Sequence, residues 1–114
     1  NQLAMESVTA DNAPLVITQP AAQRTYRLNH SVPVLYQQIE VAARPGPTRQ
    51  FQQVQMWVDD RLLAHWSLPP YRAWWALEPG SHEFRAVGID HASGEEVISE
   101  PVHIFVAADE SPIK

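Results

Sequence analysis

The chain contains no cysteine, and its 114 residues include one lysine and four glycines. Without cysteine no disulfide can form, so the fold has to rest on a packed core. A single domain of this length can bury such a core without covalent cross-links. The absence of cysteine leaves the redox compartment open, because secreted and cytosolic proteins alike can be cysteine-free.

Basic residues and long apolar runs are also scarce. The formal charge is -5 and the eight basic residues form no cluster, which argues against nucleic acid or an anionic membrane surface as a partner. No apolar run approaches the roughly 20 residues that a membrane-spanning helix needs, so we expect no membrane contact by this fragment. Because the chain begins with Asn1 rather than Met, we expect it to be a piece of a larger protein.

What the chain does contain is a regular series of short apolar runs. They recur about every ten residues between Pro, Gly, Asn and Asp, a spacing typical of an all-β sandwich. No segment keeps the three-and-four spacing of an amphipathic helix over three turns. We predict an immunoglobulin-like antiparallel β-sandwich of seven to eight strands over residues 14–107. Residues 1–13 are interpreted as a linker or leader, and residues 108–114 as a tail.

Local signals refine two places in this sandwich. Asp59 and Asp60 predict a tight hairpin turn, because aspartate tolerates the left-handed conformation that such turns need. In the run HEFRAVGID the alternation would leave Val87 and Ile89 facing outward. We expect a bulge near Gly88 to return both to the core.

Two adjacent tryptophans, Trp74 and Trp75, must point to opposite faces of a pleated strand. Glu78 shares the phase of Trp74 and marks that phase as outward, so Trp75 is predicted to be the core indole. Outward aromatic rings can stack on sugars or anchor another protein, or they can simply be covered by neighbouring segments. The candidate exposed aromatic residues for binding are Trp57, Trp74, Trp66 and Tyr71.

The order of the motifs carries a further signal. An Ile-x-x-Pro element at Ile17–Pro20 is followed by the aromatic Tyr26, a hydrophobic strand with an acidic hairpin, and Trp-x-Leu-x-Pro-Gly-x-His-x-Phe over residues 75–84. This pattern resembles the C-terminal β-sandwich domain of class A penicillin-binding proteins of the 1C type. The chain departs from it at Gln23 and Asp60, where that family tends to have glycine.

The resemblance implies a non-catalytic accessory domain, for interaction or spacing, in a protein of peptidoglycan synthesis. The parent would be a bifunctional glycosyltransferase and transpeptidase, membrane-anchored, with this domain in the periplasm or at the cell surface. The implied partners are neighbouring domains of the parent, a cell-wall synthesis protein or the peptidoglycan glycan. The alternative is a carbohydrate-binding module or an adhesion-type domain of another cell-surface protein, since sandwiches host many functions.

The residues present no complete set for catalysis or metal binding. A transpeptidase needs Ser-x-x-Lys with Ser-Asp-Asn and Lys-Thr-Gly elements; the one such spacing, Ser111 to Lys114, has neither companion. The five histidines lack zinc-site spacing, and the pairs at 59–60 and 95–96 are interpreted as turn acids in preference to calcium ligands. His82 is interpreted as a packed residue in preference to a general base. We predict no enzyme activity, no cofactor and no metal.

Overall fold

The computed structural model describes residues 13–29 and 31–108, and these form nine strands and one short 3-10 turn. The predicted linker and tail lie outside the described residues, apart from one residue of each. The strands, with the 3-10 turn between β2 and β3, are β1 (Leu15–Gln19), β2 (Arg24–Arg27), the turn Val34–Tyr36, β3 (Gln38–Pro45), β4 (Phe51–Val58), β5 (Arg61–Trp66), β6 (Tyr71–Ala76), β7 (Gly80–Asp90), β8 (Glu96–Ile98) and β9 (Val102–Ala107).

The strands form two sheets. One has the order β1-β3-β6; the other has the order β2-β9-β7-β4-β5, with β8 beside β7. All pairs are antiparallel except β2 with β9, which is parallel. The predicted all-β sandwich is confirmed. It has nine strands, one more than the upper expected number, because β8 is only three residues long and too short to give a recognisable alternation in the sequence.

The core lies between the sheets and follows the period of two that strands impose. In β4 the inward positions Val54 and Met56 are fully buried. The predicted phase of β6 is confirmed, since 7% of Trp75 and 63% of Trp74 are exposed. The largest fully buried side chains are Phe84, Leu15, Met56, Val41, Val54 and Val106.

The β4–β5 hairpin has the two-residue turn that its aspartates predict. Asp59 has a φ of 51° and Asp60 a φ of 67°, so both central residues are left-handed, as a type I′ turn requires. Both acids therefore have a structural explanation as turn residues. The Asp59 amide also donates to the carbonyl of Glu83 at 2.9 Å, which attaches the turn to β7.

The bulge expected near Gly88 is absent from β7, and that prediction is wrong. The irregularity lies instead in the partner strand β4, where the register shifts between residues 51 and 53. Val87 and Ile89 consequently keep the outward phase. Val87 is nevertheless buried, at 7% exposure, because β4 flanks it on one side and β8, through Ile98, on the other.

Gln23 offers a test of the turn before β2. Its φ is 60°, a conformation that costs an L-residue roughly 1–2 kcal/mol, whereas glycine adopts it freely at an entropic cost of about 0.5–1 kcal/mol. We expect Gln23→Gly to raise the free energy of unfolding by roughly 0.5 kcal/mol, measured as a higher urea midpoint at constant slope. Ala22→Gly, at a neighbouring exposed position without a positive φ, is the control and should lower it. A loss of stability in Gln23→Gly would contradict this interpretation.

Candidate functional site

The two outward tryptophans lie on opposite faces of the sandwich. Trp57 is on the outer face of the six-stranded sheet, in β4, and Trp74 is on the outer face of the three-stranded sheet, in β6. Trp57 is half-buried and Trp74 is exposed. The two indoles therefore cannot form one aromatic platform, and each has to be considered as a separate surface.

Of the other two candidate aromatics, Tyr71 is buried, so the prediction of exposure is wrong for it, whereas Trp66 is half-buried like Trp57. Tyr71 is 5% exposed, and Trp66 packs partly buried against the core. Their ring centroids are 5.9 Å apart. The reason for Trp66 lies in β5: the extra residue Leu63 shifts the phase of the strand, so that Trp66 pairs with the inward Val54. Burial also raises the pKa of the Tyr71 phenol.

Trp57 lies in a shallow groove of about 490 Å³ on the six-stranded sheet. The indole Nε1–H donates to Gln55 Oε1 at 3.0 Å, which fixes the ring's orientation. Arg85 reaches Asp60 at 3.4 Å across the same groove. The lining is thus an indole and two aliphatic side chains among polar groups, namely Gln55, Trp57, Asp60, Arg85, Val87, Glu96 and Ile98.

Trp74 lies beside a cleft of about 280 Å³ between β5 and β6. These strands are edge strands of the two sheets, so the cleft marks an open side of the sandwich. Leu62, 47% exposed, lines it together with Trp74. On the outer face Trp74 is paired with Glu40, whose carboxylate accepts a hydrogen bond from Arg72 at 3.4 Å. An exposed apolar surface at this cleft is therefore flanked by charges of both signs.

A buried histidine holds the hairpin to the β6–β7 turn. His82 Nδ1 lies 2.5 Å from Asp59 Oδ2, and Nε2 lies 2.7 Å from the carbonyl oxygen of Glu78. The second Asp59 oxygen accepts from the Glu83 amide at 2.9 Å. Because both ring nitrogens face acceptors, the arrangement fits an imidazolium that donates twice. The sequence does not indicate this pair, since its members are 23 positions apart and no local pattern links them.

The pKa values of this pair shift in the directions that an ion pair requires. Burial alone would lower the pKa of His82, but the hydrogen bonds to Asp59 and to the Glu78 carbonyl raise it. Burial alone would raise the pKa of Asp59, but the hydrogen bonds from His82 and the Glu83 amide lower it. A histidine with both nitrogens engaged and 7% of its surface exposed has no lone pair available for a substrate. This supports a structural role.

Comparison with known families decides the membership of this chain. A model of the Penicillin-Binding Protein C-terminus Family matches residues 4–95. The chain belongs to this family. None of the curated proteins matches it.

Solved structures support the fold of this family member. The fibronectin(III)-like modules of Clostridium thermocellum CbhA are similar, with a TM-score of 0.68 at 17% identity, over 85% of this chain and 99% of that chain. A Jonesia denitrificans lytic polysaccharide monooxygenase is a weaker match, with a TM-score of 0.48 at 12% identity over 77% and 58%. The similarity to the fibronectin(III)-like modules confirms the immunoglobulin-like sandwich.

The motif that carries the resemblance to penicillin-binding proteins is one packed unit in this domain. Trp75 contacts His82 edge-on, with centroids 4.7 Å apart, and Phe84 at 5.2 Å. Leu77, between them in sequence, is also buried. The spacing of these residues therefore brings them together in the β6–β7 turn and in the core below it. The motif indicates a fold and not an active site.

At the opposite end of the domain a second carboxylate joins two loops. Asp90 accepts backbone hydrogen bonds from Ser93 and Ala92 at 2.9 Å each, and pairs with Arg49 at 2.6 Å. The bonds from the Ser93 amide and from Arg49 outweigh desolvation and lower the pKa of Asp90 to about 2. Asp90 is therefore charged at neutral pH and links the β3–β4 loop to the β7–β8 turn.

The described residues show neither a metal cluster nor a membrane-spanning helix. Within residues 13–29 and 31–108, no group of three or more His, Asp or Glu side chains is placed to hold a metal ion. In that same part of the chain no helix has the length and hydropathy to cross a membrane.

Proposed function

We propose that this chain is a non-catalytic docking domain of a penicillin-binding protein, and that it contacts another protein surface through the side of the sandwich around Trp74. The observation that carries the proposal is an indole left 63% exposed beside an open cleft. Tryptophan is costly to leave in water and is enriched among the residues that dominate protein interfaces.

The surroundings of Trp74 support a protein partner. Leu62 lines the same cleft, and the 3-10 turn packed against β6 exposes Leu35 by 65% and Tyr36 by 72%. Exposed apolar side chains that share a cleft and are bordered by charges, as Trp74 and Leu62 do, are typical of interaction surfaces. An aromatic anchor at its centre, with Arg72 and Glu40 at the rim, matches the usual composition of interfaces.

A catalytic role has little support in the same geometry. The buried histidine–carboxylate pair, His82 with Asp59, is fully engaged in holding the hairpin, and a second pair, His103 with Glu83 at 3.7 Å, lies on the exposed surface. The cleft nearest to it is lined by no serine. We infer that the chemistry of peptidoglycan synthesis, glycosyl transfer and transpeptidation, belongs to other domains of a parent of the 1C type. We further infer that this domain works outside the cytoplasm.

Photo-crosslinking in the parent penicillin-binding protein tests this function. A benzophenone amino acid placed at position 74 keeps an aromatic ring on the exposed edge, and the same group at position 57 is the matched control on the opposite face. We expect irradiation of membranes to give a specific protein crosslink from position 74, within the parent or to a second chain, and a much weaker one from position 57. No crosslink from position 74 would refute the proposal.

A second candidate function is carried by the Trp57 groove. An indole with its nitrogen already engaged, beside Arg85, Asp60 and Glu96, offers a stacking face and polar groups for a sugar. It lacks a second aromatic ring, which is why we place it second. Sedimentation with insoluble peptidoglycan tests it: Trp57→Ala should abolish co-sedimentation and Trp74→Ala should not. If wild-type protein stays in the supernatant, the glycan function fails and docking is unaffected.

A further inference from the structure

The outer edge of β6 presents unpaired main-chain groups. The Leu77 amide donates to the Gln37 carbonyl at 2.9 Å, which makes residues 37 and 77 a hydrogen-bonded pair of the β3–β6 ladder. Such pairs alternate along antiparallel strands. Trp75 and Ala73 therefore also point their main-chain N–H and C=O groups toward β3. Arg72, Trp74 and Ala76 direct theirs away from it. Among the described residues, none supplies a backbone partner on that side.

The other edge strands carry features that discourage strand addition, and β6 does not. The register of β1 with β3 is interrupted, and β5 has a bulge at Leu63. β2 is four residues long with arginine at both ends. Short strands, bulges and charges are the usual protection of sheet edges. β6 pairs with β3 without interruption over six residues and contains one charged residue, Arg72.

The sequence along this edge is self-complementary. Positions 72, 74, 76 and 78 read Arg, Trp, Ala and Glu, with a cation at one end and an anion at the other. If a second copy runs antiparallel with Trp74 opposite Ala76, Arg72 of each copy lies opposite Glu78 of the other. This register pairs the outward-directed main-chain groups of Trp74 with those of Ala76 in the other copy. It also places the two Trp74 rings diagonally, within reach of each other.

We propose that two copies of this chain pair through β6 into one continuous sheet across a two-fold axis. The proposal rests on the docking function above and names its partner as a second copy. Arg72 and Glu78 are both exposed in the single chain, and the contact of Arg72 with Glu40 is loose at 3.4 Å. Arg72 is therefore available to an acid across the edge, and the two-fold symmetry doubles every contact.

A charge-swap series measured by sedimentation velocity over a wide range of concentrations tests the pairing. The wild-type chain should show a reversible monomer–dimer equilibrium. Arg72→Glu and Glu78→Arg should each raise the dissociation constant by about tenfold or more, because each turns two attractive pairs into repulsive ones. The double variant Arg72→Glu, Glu78→Arg should return toward the wild-type value.

The controls separate pairing from folding and from general charge. Arg44→Glu makes the same charge change on the outer face of the same sheet, in the central strand β3, and should leave the equilibrium unchanged. Circular dichroism verifies that each variant is folded. A wild-type chain that stays monomeric at every concentration, or a double variant no better than the single ones, would overturn the proposal. A crosslink from position 74 to a different protein would then still leave the docking function standing.

Discussion

Trp75→Ala is expected to lower the free energy of unfolding by about 3–5 kcal/mol, as large aromatic truncations in cores do. Trp75 is 7% exposed and its indole contacts both His82 and Phe84 edge-on. Truncation removes these contacts and leaves a cavity beneath the β6–β7 turn. Urea unfolding followed by far-ultraviolet circular dichroism measures the change, because the backbone dominates that signal.

The neighbouring substitution Trp74→Ala is the matched control for that experiment. It deletes the same side chain one position away, on the outer face, where surface substitutions usually change stability by less than about 0.5 kcal/mol. We expect it to unfold at nearly the wild-type midpoint. Equal losses from the two variants would show that the assignment of inner and outer faces in β6 is wrong.

His82→Ala is expected to lower the free energy of unfolding by about 2–3 kcal/mol. Removing one partner of a fully buried ion pair costs about 3–5 kcal/mol. The expected loss here is smaller because the Asp59 side chain is 41% exposed and water can solvate the carboxylate that remains. The ring contact with Trp75 and the link to the Glu78 carbonyl are lost as well.

The pH dependence of that loss identifies its cause. The folded pKa of His82 is raised, so its contribution is complete below the unfolded value of about 6.5 and disappears as pH rises through the folded pKa. The folded pKa of Asp59 is lowered, so its contribution is present above about 3.9 and disappears as pH falls through the folded pKa. The difference in the free energy of unfolding between wild type and His82→Ala should therefore be largest at roughly pH 4–6.5.

Asp59→Asn separates the ion pair from the shape of the turn. Asparagine also tolerates the left-handed conformation of the hairpin and can still accept from the Glu83 amide, but it carries no charge for His82. We expect a smaller loss than in His82→Ala and a flatter pH profile between pH 4 and 8. If the difference in the free energy of unfolding between wild type and His82→Ala is the same at every pH, the ion pair is contradicted. The loss in His82→Ala would then come from packing alone.

The elements that sequence predicted are those that local periodicity determines. Alternation placed Trp75 inside and Trp74 outside, and two adjacent aspartates predicted the left-handed turn. The two positions where the family tends to have glycine, Gln23 and Asp60, are both left-handed in this chain. The chain therefore has a left-handed backbone at both positions, in residues that adopt this conformation less readily than glycine does.

The failures share a different physical origin. Trp66 packs partly against the core because a bulge in β5 pairs it with the inward Val54. Val87 stays outward because the bulge lies in the partner strand and not in its own. Nothing in either local sequence reports a partner's register, since pairing is decided by contacts between residues far apart in the chain. The His82–Asp59 pair and the separation of Trp57 from Trp74 depend on topology in the same way.

If protein covers the β6 side of this domain when it functions, hydrogen exchange in the parent penicillin-binding protein will reveal that cover. The amides of Arg72, Trp74 and Ala76 should exchange slowly in the parent, and fast in the dilute isolated chain and in the parent carrying Trp74→Ala. Equal, fast exchange of these three amides in the parent and in the isolated chain would contradict the claim.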